Sequence, residues 1–95
     1  LVTREQSKNF KFDNSKIDGV LKDVYIKHHG VGFKLTNVNE EFVFYPYTSE
    51  LNDNKVFDQL AKGGDRIIKS QNSDTLILIS NDKEYKYIFQ QFDNE

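Results

Sequence analysis

Val31, Phe33 and Leu35 alternate with Gly32, Lys34 and Thr36, and an apolar-rich run returns at residues 42–47 after the polar stretch 37–40. A period of two predicts strands, and the Asn-rich gap between the runs predicts a hairpin. Pro46 has no amide hydrogen, so the second strand should lie at an edge or end there.

Upstream, residues 16–28 predict one long strand with apolar residues on both parities: Val20, Val24 and Ile26 on one, Ile17, Leu21 and Tyr25 on the other. Gly19 marks the expected bulge or bend that carries such a strand between two halves of a small barrel. The same residues also fit a helical period; their β-branched content and Gly19 favour the strand. His29-Gly30 is the expected turn into the hairpin. Phe10 and Phe12 predict a short strand, and residues 1–9 a flexible tether.

Beyond the hairpin, Asp53 or Asn54 is positioned to cap a short helix through Ala61, with Val56, Phe57 and Leu60 inward and Gly63 as the stop. Residues 65–69 predict a strand, 75–80 a central strand, and 84–92 a last strand with Tyr85, Tyr87 and Phe89 on one face. The pattern predicts a mainly β fold with one short helix, either an OB-like or SH3-like barrel or a rolled antiparallel sheet. A β-sandwich is the alternative. Residues 10–95 are expected to form a single β domain.

Composition narrows the function classes. Eight Phe and five Tyr in 95 residues mean that large rings supply much of a thin core. A net charge of −2 and lysines that never cluster argue against nucleic acid as a partner. No run approaches the roughly 20 apolar residues of a membrane helix. With no Cys, thiolate nucleophiles and Cys-based zinc sites are excluded and no disulfide constrains the fold. The chain begins at Leu1 rather than Met, which predicts a processed product whose leader has been removed.

Candidate chemistry is sparse. His28 and His29 are adjacent, so on a strand they point to opposite faces and read as a turn rather than a metal pair. Asp13, Ser15, Asp18 and Gly19 imitate the start of a calcium loop, but Ile17 stands at a ligand position and Val24 at the closing one. The oxygen-rich cluster of Glu50, Asn52, Asp53, Asn54 and Asp58 reads as a solvated helix start. No Ser occupies a nucleophile elbow. Gly63-Gly64-Asp65 lacks the ending of a phosphate loop and reads as a tight turn, both glycines supplying unusual backbone angles and Asp65 accepting local amides. Tyr45 and Tyr47 share one strand face and Tyr85 and Tyr87 another. These four tyrosines are the candidate ligand contacts, because exposed rings on a sheet stack on sugars, peptides or bases.

Gly19-Val20, Tyr25, His29, the Val31-Phe33-Leu35 strand, and above all Gly64-Asp65-Arg66-Ile67-Ile68-Lys69 followed by Asp74-Thr75-Leu76 resemble a family of small uncharacterised β domains. These occur in secreted proteins and predicted lipoproteins of Bacteroidetes. The resemblance covers about residues 15–90; Arg66 stands where the family carries a small Ser. It implies a small β fold and an extracytoplasmic location (periplasm, outer membrane or cell surface). It further implies membrane attachment if a lipidated Cys precedes Leu1, and it brings no activity with it.

The expected function is a non-catalytic envelope or cell-surface module, binding or structural, whose partner is a glycan, a peptide, a cell-wall polymer or an envelope protein. No cofactor, metal or catalytic residue is expected. A single-stranded nucleic-acid-binding OB-like domain is the alternative and requires a basic stripe from Lys22, Lys34, Lys69 and Lys86. A small hydrolase ranks last.

Overall fold

The structure, a computed structural model, describes residues 16–36 and 38–90. The first long strand, β1 (Ile17–Lys27), explains why its sequence is apolar on both parities. Its first residues pair with β4 (Arg66–Lys69) and the rest with β2 (Gly30–Leu35). Between the two, Leu21 faces Leu35 while Asp23 faces Lys34, so Lys22 is an extra residue. A bulge of this kind flips the alternation. Ile17 and Leu21 are buried before it, and after it Val24 packs on the core while Tyr25 and Lys27 turn outward.

The bulge is therefore at Lys22, not Gly19. Gly19 sits in regular pairing with Ile67, and a Cβ there would lie 3.2 Å from the Leu35 side chain. The turn is likewise one residue earlier than expected. His28 and His29 have φ of 52° and 66°, the two left-handed positions of a tight hairpin turn, and Gly30 already belongs to β2.

The hairpin of β2 and β3 (Glu41–Phe44) pairs Val31 with Phe44 and Phe33 with Phe42, as the alternation predicts. On the other side β4 pairs with β5 (Thr75–Ser80), and β5 with β6 (Lys83–Ile88) through a turn at Asn81 and Asp82. The result is mainly β: one antiparallel six-stranded sheet in the order β3-β2-β1-β4-β5-β6. It is rolled rather than closed. An isolated bridge between Pro46 and Phe89 joins the continuations of the two outer strands, with the Tyr47 amide donating to Ile88 at 2.8 Å and the Gln90 amide to Tyr45 at 3.0 Å. Pro46 occupies a bridge position whose own nitrogen is not called on to donate, which suits its missing hydrogen.

The roll encloses an aromatic core. Phe44 contacts Phe33, Phe57 and Phe89 edge to face, with centroids 5.6, 5.0 and 5.9 Å apart. Phe57 meets Tyr87 the same way at 5.0 Å. Such edge-on pairs favour the ring quadrupole and fill the space between the sheet halves.

The connection from β3 to β4 departs from the expected capped helix. Ser49 caps a 3-10 turn at Glu50–Asn52, where Asp53 follows in the left-handed conformation with φ of 55°. The helix itself, α1, is the single turn Phe57–Leu60, preceded by Val56 without a side-chain cap. Asn52, expected in solvent, is wholly buried. Its amide donates to the carbonyls of Tyr47 and Lys86 at 3.1 and 2.9 Å and its oxygen accepts from the Ser49 amide at 2.9 Å.

At the turn before β4 only Gly64 needs special backbone freedom, with φ of 98°. Gly63 is there because a Cβ would press on the Lys22 carbonyl at 3.0 Å. Asp65 accepts the Lys62 amide at 3.0 Å as expected, and also its ammonium at 3.2 Å, which in turn reaches Ser80 at 3.1 Å. The expected strand at Phe10 and Phe12, the tether 1–9 and the end of the last strand at Phe92 lie outside the described residues.

Candidate functional site

The four candidate tyrosines divide. Tyr87 is 0% exposed, wedged in the core with its hydroxyl donating to the Lys55 carbonyl at 2.6 Å. It cannot meet a ligand: the inward face of β6 is the core face, so its rings pack on Leu76 and Leu78 of the neighbouring strand. Burial, and secondarily the nearby Tyr85, push its hydroxyl up to about 12. Tyr85 is half-buried at the rim of that core and carries the Lys83 ammonium 5.3 Å from its ring centroid.

Tyr45 and Tyr47 do come together, on the strand continuation around Pro46. They line a shallow cleft of about 260 Å³ at the end of the roll, with Ile26, His29, Val56 and Asp58. Three chain segments build it. The end of β1 and the turn after it supply Ile26 and His29, the stretch around Pro46 supplies the two tyrosines, and the approach to α1 supplies Val56 and, within its first turn, Asp58.

The Tyr45 wall is held from behind. Tyr45 donates to the His28 carbonyl at 3.1 Å, and its ring lies over Gly30, where a Cβ would sit 2.6 Å from the ring. Tyr25 lies over Gly32 in the same manner, at 2.5 Å. A ring laid across a strand glycine covers backbone that would otherwise face water. Tyr25 and Lys27 both bond Glu41, each at 2.5 Å, which ties β1 to β3 across the outer face of the sheet. Burial, the bond to Glu41 and the charges of Glu41 and Asp23 hold the Tyr25 hydroxyl well above its usual range.

Ile26 is 62% exposed, Tyr47 53% and Val56 40%, so three large apolar groups converge where water still reaches them. Asp58 is half-buried among them and has no hydrogen bond or ion pair with the described residues. No family model, curated protein or solved structure matches this chain.

Among the described residues no three His or acidic side chains converge as a metal site. The Lys62 ammonium near Ser80 is paired with Asp65, and Ser80 is itself buried. Of the four lysines of the expected basic stripe, Lys69 is only 1% exposed; it points inward from β4, donating to the Ser70 carbonyl and lying 5.8 Å from the Phe89 ring centroid. The stripe is broken at that position, because β4 alternates and its second and fourth residues face the core.

Sequence reasoning reached two of the cleft residues, Tyr45 and Tyr47, and read His29 as a turn. It missed Ile26, Val56 and Asp58 as members of a site. Ile26 alternates with core residues and carries no local sign that the roll ends before covering it.

Proposed function

We propose that the chain is a non-catalytic binding module whose ligand is an extended peptide segment seated in the cleft of Ile26, Tyr47 and Val56. The observation that carries this reading is the convergence of these exposed apolar groups, from three separate segments, on one cleft. A contiguous exposed apolar surface is costly to keep in water and marks a contact site. Its size separates ligand classes: pockets that engulf small molecules run to about 300–1,000 Å³ and bury most of the ligand. A cleft of about 260 Å³ open along one side suits one or two side chains of a longer chain lying across it.

The extracytoplasmic location is proposed with it, on the resemblance of the Gly64–Lys69 element to secreted Bacteroidetes domains. Peptide and glycan arrays probed with the purified protein test the reading. Binding to peptides that disappears in Tyr47→Ala, at unchanged melting temperature, is the expected result; capture of glycans alone sinks the peptide assignment. Binding to neither class, in the wild-type protein, sinks the binding module.

A further inference from the structure

Resting on the peptide reading of the cleft, we propose that its ligand is a basic–apolar peptide: a lysine or arginine side chain that meets Asp58, next to an apolar residue that covers Ile26 and Val56.

Asp58 is the charged group among the cleft's described walls, and it is half-buried beside apolar neighbours. Its carboxylate has no ion pair among the described residues, whereas four other carboxylates have found a cation. Lys27 holds Glu41, Arg66 holds Asp18 in a two-pronged contact at 2.8–3.0 Å, Lys62 holds Asp65, and Lys83 holds Asp53. Lys55, three residues before Asp58, makes no ion pair with it. A carboxylate left unpaired beside apolar side chains is open to a charge that a ligand brings, and a cation is the complementary one.

The Tyr47 ring reinforces the same choice, since an exposed aromatic face attracts ammonium and guanidinium groups. Its hydroxyl has no partner among the described residues and is left to donate to a peptide carbonyl. Ile26, Pro46 and Val56 then supply the apolar half of the recognition. A neutral sugar leaves Asp58 unused, and a polyanion is repelled by it.

An acidic residue in the first turn of a helix also favours that helix through its dipole. With α1 only four residues long, that role is small, and it predicts a change in stability with no change in ligand choice. The two roles therefore separate by experiment.

The test is a pair of blocked octapeptides with the same Leu-Pro centre, one flanked by two arginines and the other by two glutamates. Each is titrated into the ¹⁵N-labelled protein at low salt while the amide signals of Gly30, Tyr47 and Val56 are followed. The arginine peptide is expected to shift these signals and to bind about tenfold more tightly than the glutamate peptide, the size of a favourable partly desolvated charge contact. The preference should collapse to about threefold or less in Asp58→Asn and survive in Asp58→Glu. Equal affinity for the two peptides at the cleft, or a preference that persists in Asp58→Asn, overturns the charge inference and leaves peptide binding standing. Failure of both peptides to move the cleft amides overturns peptide binding itself.

Discussion

The Tyr45 ring lies where a Cβ on Gly30 would need to be, with Cε2 only 2.6 Å from that position. The Phe44 carbonyl closes the other side at 2.8 Å, so the ring or the backbone must shift to admit a methyl group. Gly30→Ala is therefore expected to destabilise the protein by about 1–3 kcal/mol, the usual cost of overpacking. It should also displace Tyr45 from the cleft wall. Urea denaturation reads the first effect, and the aromatic signals of Tyr45 in an NMR spectrum read the second. An alanine accepted at no cost would show that the ring is not held over the glycine.

Asn52 joins three segments from a wholly buried position. Asn52→Leu keeps the volume but strips the Tyr47 and Lys86 carbonyls and the Ser49 amide of their partner. Unpaired buried groups make this cost about 2–4 kcal/mol. For a chain of this size the melting temperature should fall on the order of 15 °C. A calorimetric shift of only a degree or two would mean that water reaches these groups.

The tight turns offer the opposite sign. His29 and Asp82 are held at φ of 66° and 63°, a region that penalises any side chain and that glycine enters freely. His29→Gly and Asp82→Gly are each expected to stabilise by about 0.5–1 kcal/mol, after the extra flexibility of glycine in the unfolded chain is subtracted. Asp tolerates the left-handed region better than His, so His29→Gly should gain more. Thermal melts of the two variants against wild type decide the sign and the ranking.

Alkaline pH should expose the burial of Tyr87. Its hydroxyl ionises near 10 in the unfolded chain and is pushed up to about 12 in the folded one. The folded state therefore retains a proton that the unfolded state has lost, and stability falls as pH rises through that interval. The contribution is fully present below pH 10 and gone above about 12. Tyr87→Phe removes the titrating group together with the bond to Lys55, so it should start less stable at pH 8 and lose less between pH 10 and 12. Parallel slopes for the two proteins in urea titrations across that interval would contradict the assignment.

The resemblance of the predicted hairpin to the observed β2–β3 pair shows what local pattern carries. Val31, Phe33 and Leu35 bury because alternate residues of a strand share a face, and Pro46 is tolerated just past the outer strand β3, at a bridge position that asks no hydrogen of it. The β5 strand at residues 75–80 follows from the same rule. β1 was legible as a strand, but its mixed parity had two explanations, and only pairing with both β2 and β4 placed the extra residue at Lys22. The candidate cleft was half legible. Tyrosines two residues apart on a strand share a face, which is a local signal, so Tyr45 and Tyr47 stood out.

What the sequence determined by itself is the mainly β character, the strand faces and the aromatic share of the core, all properties of neighbouring residues. Tertiary structure decided which faces meet water. Tyr87 is sealed because β5 and α1 cover it, and Tyr47 is open because the roll ends at the Pro46–Phe89 bridge. Ile26, Val56 and Asp58 became neighbours only when distant segments closed around that end. Exposure depends on what packs against a residue, and those partners lie tens of positions away in the chain.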